Sequence, residues 1–164
     1  MKSTSLVRRV VTGHDEKGNA VIWKDNALPP QYMPQNEDAE FTLIWSTAEL
    51  PVDNNDPVDG IERDAGVTLK GGSVIRVVDM LPGKESPMHR TNSLDYGVVI
   101  SGELELVLDD GVNTRLYPGD IVVQRGTIHQ WRNPSDVTTC RIVFVLTEAF
   151  PVNIKGTPLE EVHP

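Results

Sequence analysis

Gly83-Lys84-Glu85-Ser86-Pro87-Met88-His89-Arg90-Thr91-Asn92-Ser93-Leu94-Asp95, closed by Gly102, is the stretch that decides how this chain is read. It is echoed downstream by Pro118-Gly119-Asp120 and Gly126-Thr127-Ile128-His129. Two turn-bounded β segments therefore each deliver a histidine, with a carboxylate between them. Residues two apart in a strand face the same way, so His89 and Thr91 should point together and Arg90 away. Asp95 follows after a short turn and can return its carboxylate to the same space. Gly126, just before His129, permits a close backbone approach. Two imidazoles and one carboxylate suit Fe, Mn, Ni, Cu or Zn, and leave coordination positions open for substrate or water. The alternative is a set of hydrogen-bonded polar groups in a solvated barrel mouth, with no metal.

Working outward, short β-rich runs are punctuated by twelve prolines and thirteen glycines, and long helical periodicity is nearly absent. The expected strands are 6–12, 20–24, 41–46, 73–80, 96–101, 103–108, 113–117, 120–124, 129–132 and 140–147. The clearest alternation places Leu104, Leu106 and Leu108 on one face, between turns at Ser101-Gly102 and Asp109-Asp110-Gly111. Residues 73–147 carry nearly all the regular pattern and form the expected barrel core. Residues 1–72 are expected to supply extra strands and a long surface loop at 50–64 that pack on it. Residues 148–164 form a tail with one helical turn at best. The whole is expected to be one domain.

With fifteen basic and twenty-four acidic side chains the net charge is −9, which argues against a nucleic-acid or anionic-membrane surface. The single cysteine, Cys140, excludes an internal disulfide and sits in a run that reads as a buried strand. No apolar run approaches membrane-spanning length, and residues 1–5 lead into Arg8-Arg9 without a signal-peptide core, so the expected location is cytoplasmic. Nucleophile elbows, phosphate-binding glycine loops and Cys-x-x-Cys pairs are all missing from the sequence.

The paired motifs resemble those of the cupin family. Gly83, His89, Asp95 and Gly102 fit the spacing of its first motif, with Thr91 in place of a second histidine and Asp95 in place of a glutamate. Pro118, Gly119, Asp120, Gly126, His129 and Asn133 fit the second, with Gln124 where proline is usual. The resemblance implies an all-β double-stranded β-helix, or jelly roll, with its ligand site inside the barrel. It implies His89, Asp95 and His129 as ligands of a divalent transition metal, while the two substitutions leave a metal-free pocket as the alternative.

Beside these, Trp131 shares the face of His129 and is a candidate pocket wall. Arg76 alternates with Val74, Val78 and Met80; it either binds an anionic substrate from within the barrel or pairs with a surface acid. Thr91 is a third candidate substrate contact. His129 or Asp95 would act as general base when tuned by burial. Tyr96, Arg125, His14 and His163 are expected to have no role at the site. The expected function is a small enzyme acting on an oxygenated organic molecule, with metal-assisted lyase or isomerase chemistry. Iron-dependent dioxygenation and non-catalytic ligand binding are the alternatives. The extra strands at the start of the chain lead to the expectation of a C2 homodimer.

Overall fold

The computed structural model describes residues 6–31 and 37–163; the leader reading of residues 1–5, and Pro164, lie outside them. The strands are β1 (Val7–His14), β2 (Ala20–Leu28), β3 (Ala39–Thr47), β4 (Ser73–Met80), β5 (Ser93–Ser101) and β6 (Leu104–Val107). They continue with β7 (Asn113–Leu116), β8 (Ile121–Arg125), β9 (Gln130–Arg132), β10 (Cys140–Glu148), β11 (Asn153–Ile154) and β12 (Thr157–Pro158). Among the described residues the helical content is one 3₁₀ turn at Asp109–Gly111. No helix there is long and apolar enough to cross a membrane.

A five-stranded antiparallel sheet, ordered β3-β4-β10-β5-β8, faces a three-stranded sheet ordered β7-β6-β9. This is the jelly-roll sandwich expected. Strand alternation sends Val78, Met80, Val99, Cys140, Ile142, Phe144 and Leu146 inward from the larger sheet, where they meet Leu104, Leu106 and Trp131 from the smaller one. Leu108 packs against this core at its edge. Gly97 stands opposite Phe144 across β5 and β10. A Cβ there would lie 2.9 Å from the Phe144 ring and 2.7 Å from Val122, so the missing side chain makes room for an aromatic barrel wall. Gly102 turns the chain out of β5 at φ 76°, with the Thr139 carbonyl 2.7 Å from where a Cβ would stand.

Two regions flank the sandwich. Among the described residues, β1 and β2 form a two-stranded hairpin that joins neither of the larger sheets. Its anchor is Arg9, which donates to both carboxylate oxygens of Asp59 at 2.7 and 2.9 Å. Both partners of this ion pair are buried. The loop at 50–64 is mostly exposed, and its buried Asp59 holds the hairpin to the barrel. The tail is extended, where one helical turn at best is expected. β11 and β12 pair with each other, and Val162 exchanges backbone hydrogen bonds with Arg90 at 2.9 and 3.0 Å.

Candidate functional site

Between the sheets lies a cavity of about 160 Å³, lined by Arg76, His89, Thr91, Asp95, His129 and Trp131 together with Phe41, Phe144 and Leu146. All six residues singled out from the sequence thus meet in one space. His89 and His129 are brought together by the backbone, since each donates its N–H to the other's carbonyl at 2.9 Å. Their rings meet at a tilt of 51° with centroids 4.2 Å apart. Trp131 packs edge-on to His129 at 5.4 Å and leans on Phe144 at 5.3 Å.

The protonation of both imidazoles follows from their partners. His89 Nδ1 lies 2.8 Å from the Pro87 carbonyl, and His129 Nδ1 lies 2.9 Å from the Thr127 carbonyl. A carbonyl can only accept, so each Nδ1 carries the proton and each Nε2 keeps a lone pair. Burial, reinforced by the neighbouring His89, pushes the His129 imidazole down to about 4, against the opposing Thr127 carbonyl. His129 is therefore neutral at physiological pH.

Asp95 behaves in the opposite way. Burial pushes its carboxyl up to about 6, partly offset by a hydrogen bond from Ser93 and by the charge of Arg76. The Thr91 and Ser93 hydroxyls are 2.8 Å apart. Thr91, Ser93 and Asp95 are all buried, which makes a polar ladder at two-residue spacing on the inner face. Arg76 is buried on the same side of the larger sheet, where burial lowers its pKa against the pull of Asp95. It donates through Nη2 to the carbonyls of Gly66 and Val67, so the expected pairing with a surface acid is not formed.

Among the described residues no three His, Cys, Asp or Glu side chains gather closely enough to hold an ion. The fold assembles the histidine pair, while Asp95 shares the cavity without joining it. Its short side chain is engaged by Ser93 and faces the charge of Arg76.

Three features were not anticipated. Val162 and His163 line the cavity, because the tail is pinned along residues 90–92 by Val162 and by Glu161, whose carboxylate accepts from the Asn92 N–H at 2.8 Å. Asp38 contributes a second carboxylate to the lining. Gln124 is buried directly opposite Asp95 in the β5–β8 register. Its only signal in the sequence was a missing proline. Tyr96 and Arg125 point outward, and His14 is exposed, as expected.

Residues 76–146 match the Cupin domain family. "Phomopsin biosynthesis cluster protein C'" of Diaporthe leptostromiformis is 44% identical over 156 residues, covering 90% of this chain and 82% of the relative. "Cupin-domain-containing oxidoreductase fogC" of Aspergillus ruber is 39% identical over 161 residues, covering 95% of this chain and 79% of the relative. A solved Klebsiella pneumoniae protein with a double-stranded beta-helix domain superposes with a TM-score of 0.50 at 23% identity, covering 72% of this chain and 84% of that one. At that identity the likeness concerns the fold alone.

Proposed function

The chain belongs to the cupin-domain family, and from that premise we propose that it is an enzyme of a biosynthetic pathway, acting on a small oxygenated organic molecule held in the barrel cavity. The relatives support this reading by name, one as a biosynthesis-cluster protein and one as an oxidoreductase. The observation that carries it is the pairing, in one small cavity, of a neutral buried imidazole with a carboxyl tuned to about 6. A proton carrier works best when its pKa lies near the operating pH, which singles out Asp95. His129, with its Nδ1–H fixed by Thr127, offers Nε2 as an acceptor that orients a substrate hydroxyl. Trp131 and Phe144 supply an apolar wall that keeps both groups out of bulk water. The reaction favoured is proton transfer at a carbon beside an oxygen function, as in an isomerisation, dehydration or decarboxylation.

The histidine pair fits the donor chemistry of a divalent transition metal, because both Nε2 lone pairs are left free by the carbonyls that hold Nδ1. His89 and His129 would hold the ion, which would supply Lewis-acid polarisation of a substrate oxygen, or oxidation chemistry if it were iron. The relative named an oxidoreductase favours this second reading.

The test is an activity survey with metal-loaded and chelator-treated protein, together with Asp95→Asn and His129→Ala. Asp95→Asn should lower turnover by about 10²-fold or more, and full turnover in either variant would overturn the assignment. Bound metal per subunit should fall in His89→Ala and His129→Ala and persist in Thr91→Ala.

The cytoplasmic location and the C2 homodimer belong to the same proposal. Tyr96, Val123 and Ile121 form an exposed apolar strip on the outer face of β5 and β8, and Val10, Ile22 and Trp23 are exposed on the hairpin. Light scattering should give the mass of two chains, and Ile121→Glu should shift it towards one.

A further inference from the structure

The cavity has two chemically distinct walls, and the wall away from the imidazoles carries information about the substrate. Arg76 and Asp95 line it, both are more than nine-tenths buried, and among the described residues each keeps one side-chain atom without a hydrogen-bond partner, Nε of Arg76 and Oδ1 of Asp95. Behind Asp95, its cross-strand partner Gln124 is buried as well. Gln124 accepts the Thr127 hydroxyl through Oε1, which fixes the orientation of its amide, and its Nε2 has no partner. Directly opposed residues in an antiparallel pair have Cβ atoms about 5 Å apart. A carboxylate acceptor and an amide donor therefore stand side by side with capacity unspent. These two residues are also two of the places where the chain departs from the motifs named above.

The charge on the lining is as informative as the hydrogen bonds. Apart from the histidines, the ionisable side chains lining the cavity are Arg76, Asp95 and Asp38, one cationic group set against two acidic ones. The chain as a whole carries −9. A free carboxylate entering this space would meet like charge in a medium that screens it poorly. A neutral group with one donor and one acceptor would meet a matching acceptor on Asp95 and a matching donor on Arg76. Size sets the other limit. A cavity of about 150 Å³ takes one benzene ring, and this one measures about 160 Å³.

We propose that the Arg76–Asp95 wall, backed by Gln124, selects a substrate with a body the size of one ring and a neutral hydroxyl or amide head, and that it rejects free carboxylic acids. This rests on the small-molecule reading above and narrows it, leaving isomerisation and dehydration and removing decarboxylation of a free acid from the reactions named there. Asp95 and Arg76 contact the head group, and Gln124 is a positioning residue acting through Asp95.

The test is calorimetric binding of benzamide, benzoate and toluene, which share one body and differ in the head. It uses the full chain treated with chelator, at pH 8. Benzamide should bind at least about tenfold more tightly than either of the others, the like-charge contact setting the gap to benzoate. Asp95→Asn, which removes the charge and keeps the shape, should close most of the benzamide–benzoate gap, and Arg76→Met should weaken benzamide. Benzoate binding wild type as well as benzamide overturns the proposal, as does failure of all three probes to bind or an unchanged ratio in folded Asp95→Asn. The wild-type comparison stands even where a variant does not fold. Benzamide-selective binding with no turnover of any compound would instead sink the catalytic reading and leave this one in place.

Discussion

The sandwich and the hairpin are held by different physics. In the sandwich, strands from two sheets bury a continuous apolar cluster, and Leu104 and Cys140 have no accessible surface. In the hairpin Val10, Val21, Ile22 and Trp23 are exposed, and attachment centres on the buried ion pair between Arg9 and Asp59, with Arg9 also donating to the Ile44 carbonyl and Trp23 edge-on to Trp45. Burial of apolar surface is non-directional and spread over many residues, so it survives small changes. An ion pair taken out of water depends on both partners, because losing one strands a buried charge. The fold therefore has one part that should fail gradually and another that should respond sharply to the loss of one charged partner.

The largest effect expected is in the sandwich. Leu104→Ala opens a cavity in a fully buried position and should cost about 2–5 kcal/mol of global stability. Denaturant unfolding checks it, and a loss confined to the hairpin would contradict the division.

Asp59→Ala comes next, at about 3 kcal/mol, because Arg9 would stay buried without its counter-charge. Here the loss should be local. Backbone amide exchange should speed up in β1 and β2 and stay slow in β10; equal acceleration in both would mean that hairpin and barrel unfold as one unit. The same pair sets a pH dependence. The Arg9 hydrogen bonds hold the Asp59 carboxyl below its usual range. Its contribution is thus complete above the ordinary aspartate pKa and is lost as the pH falls through the lowered one. Hairpin protection factors, which remove the intrinsic pH dependence of exchange, should fall on acidification in wild type and be nearly flat in Asp59→Ala.

The smallest effect belongs to Arg8 and Asp25, which make a similar two-point contact on the exposed face of the hairpin at 2.8 Å. In water such a pair gains little. Arg8→Ala should leave the unfolding midpoint unchanged within error, and a loss as large as that of Asp59→Ala would show that burial is not what separates the two pairs.

Most of the architecture could be read from the sequence because alternation is a local signal. β4 has the bounds expected from the Val74-Ile75-Arg76-Val77-Val78 run, and Leu104 and Leu106 turn inward as their spacing requires. β11, β12 and the Val162 contact could not be read, because pairs of two residues or fewer carry no period. Arg76 was ambiguous for another reason: both faces of β4 are apolar, so alternation says which residues share a face but not which face is inside. At the site, the two histidines were legible from their turns. That Asp95 stays apart from them, opposite Gln124, depends on a register between strands and on one missing methylene, neither of which a single strand reveals. The Arg9–Asp59 contact spans 50 residues and leaves no local trace at all.

Cys140 gives the molecule a built-in clock. It is the only thiol in the chain, it has no accessible surface, and burial together with the charge of Asp79 pushes it up to about 11. A thiol-reactive dye can reach it only when the seam between β10 and β4 opens, so the labelling rate counts openings of the barrel. Anything that fills the cavity stabilises the closed form and should slow that count in proportion to its occupancy. Candidate substrates can then be ranked by how far they delay one colour change, with no need to know which bond the enzyme makes or breaks.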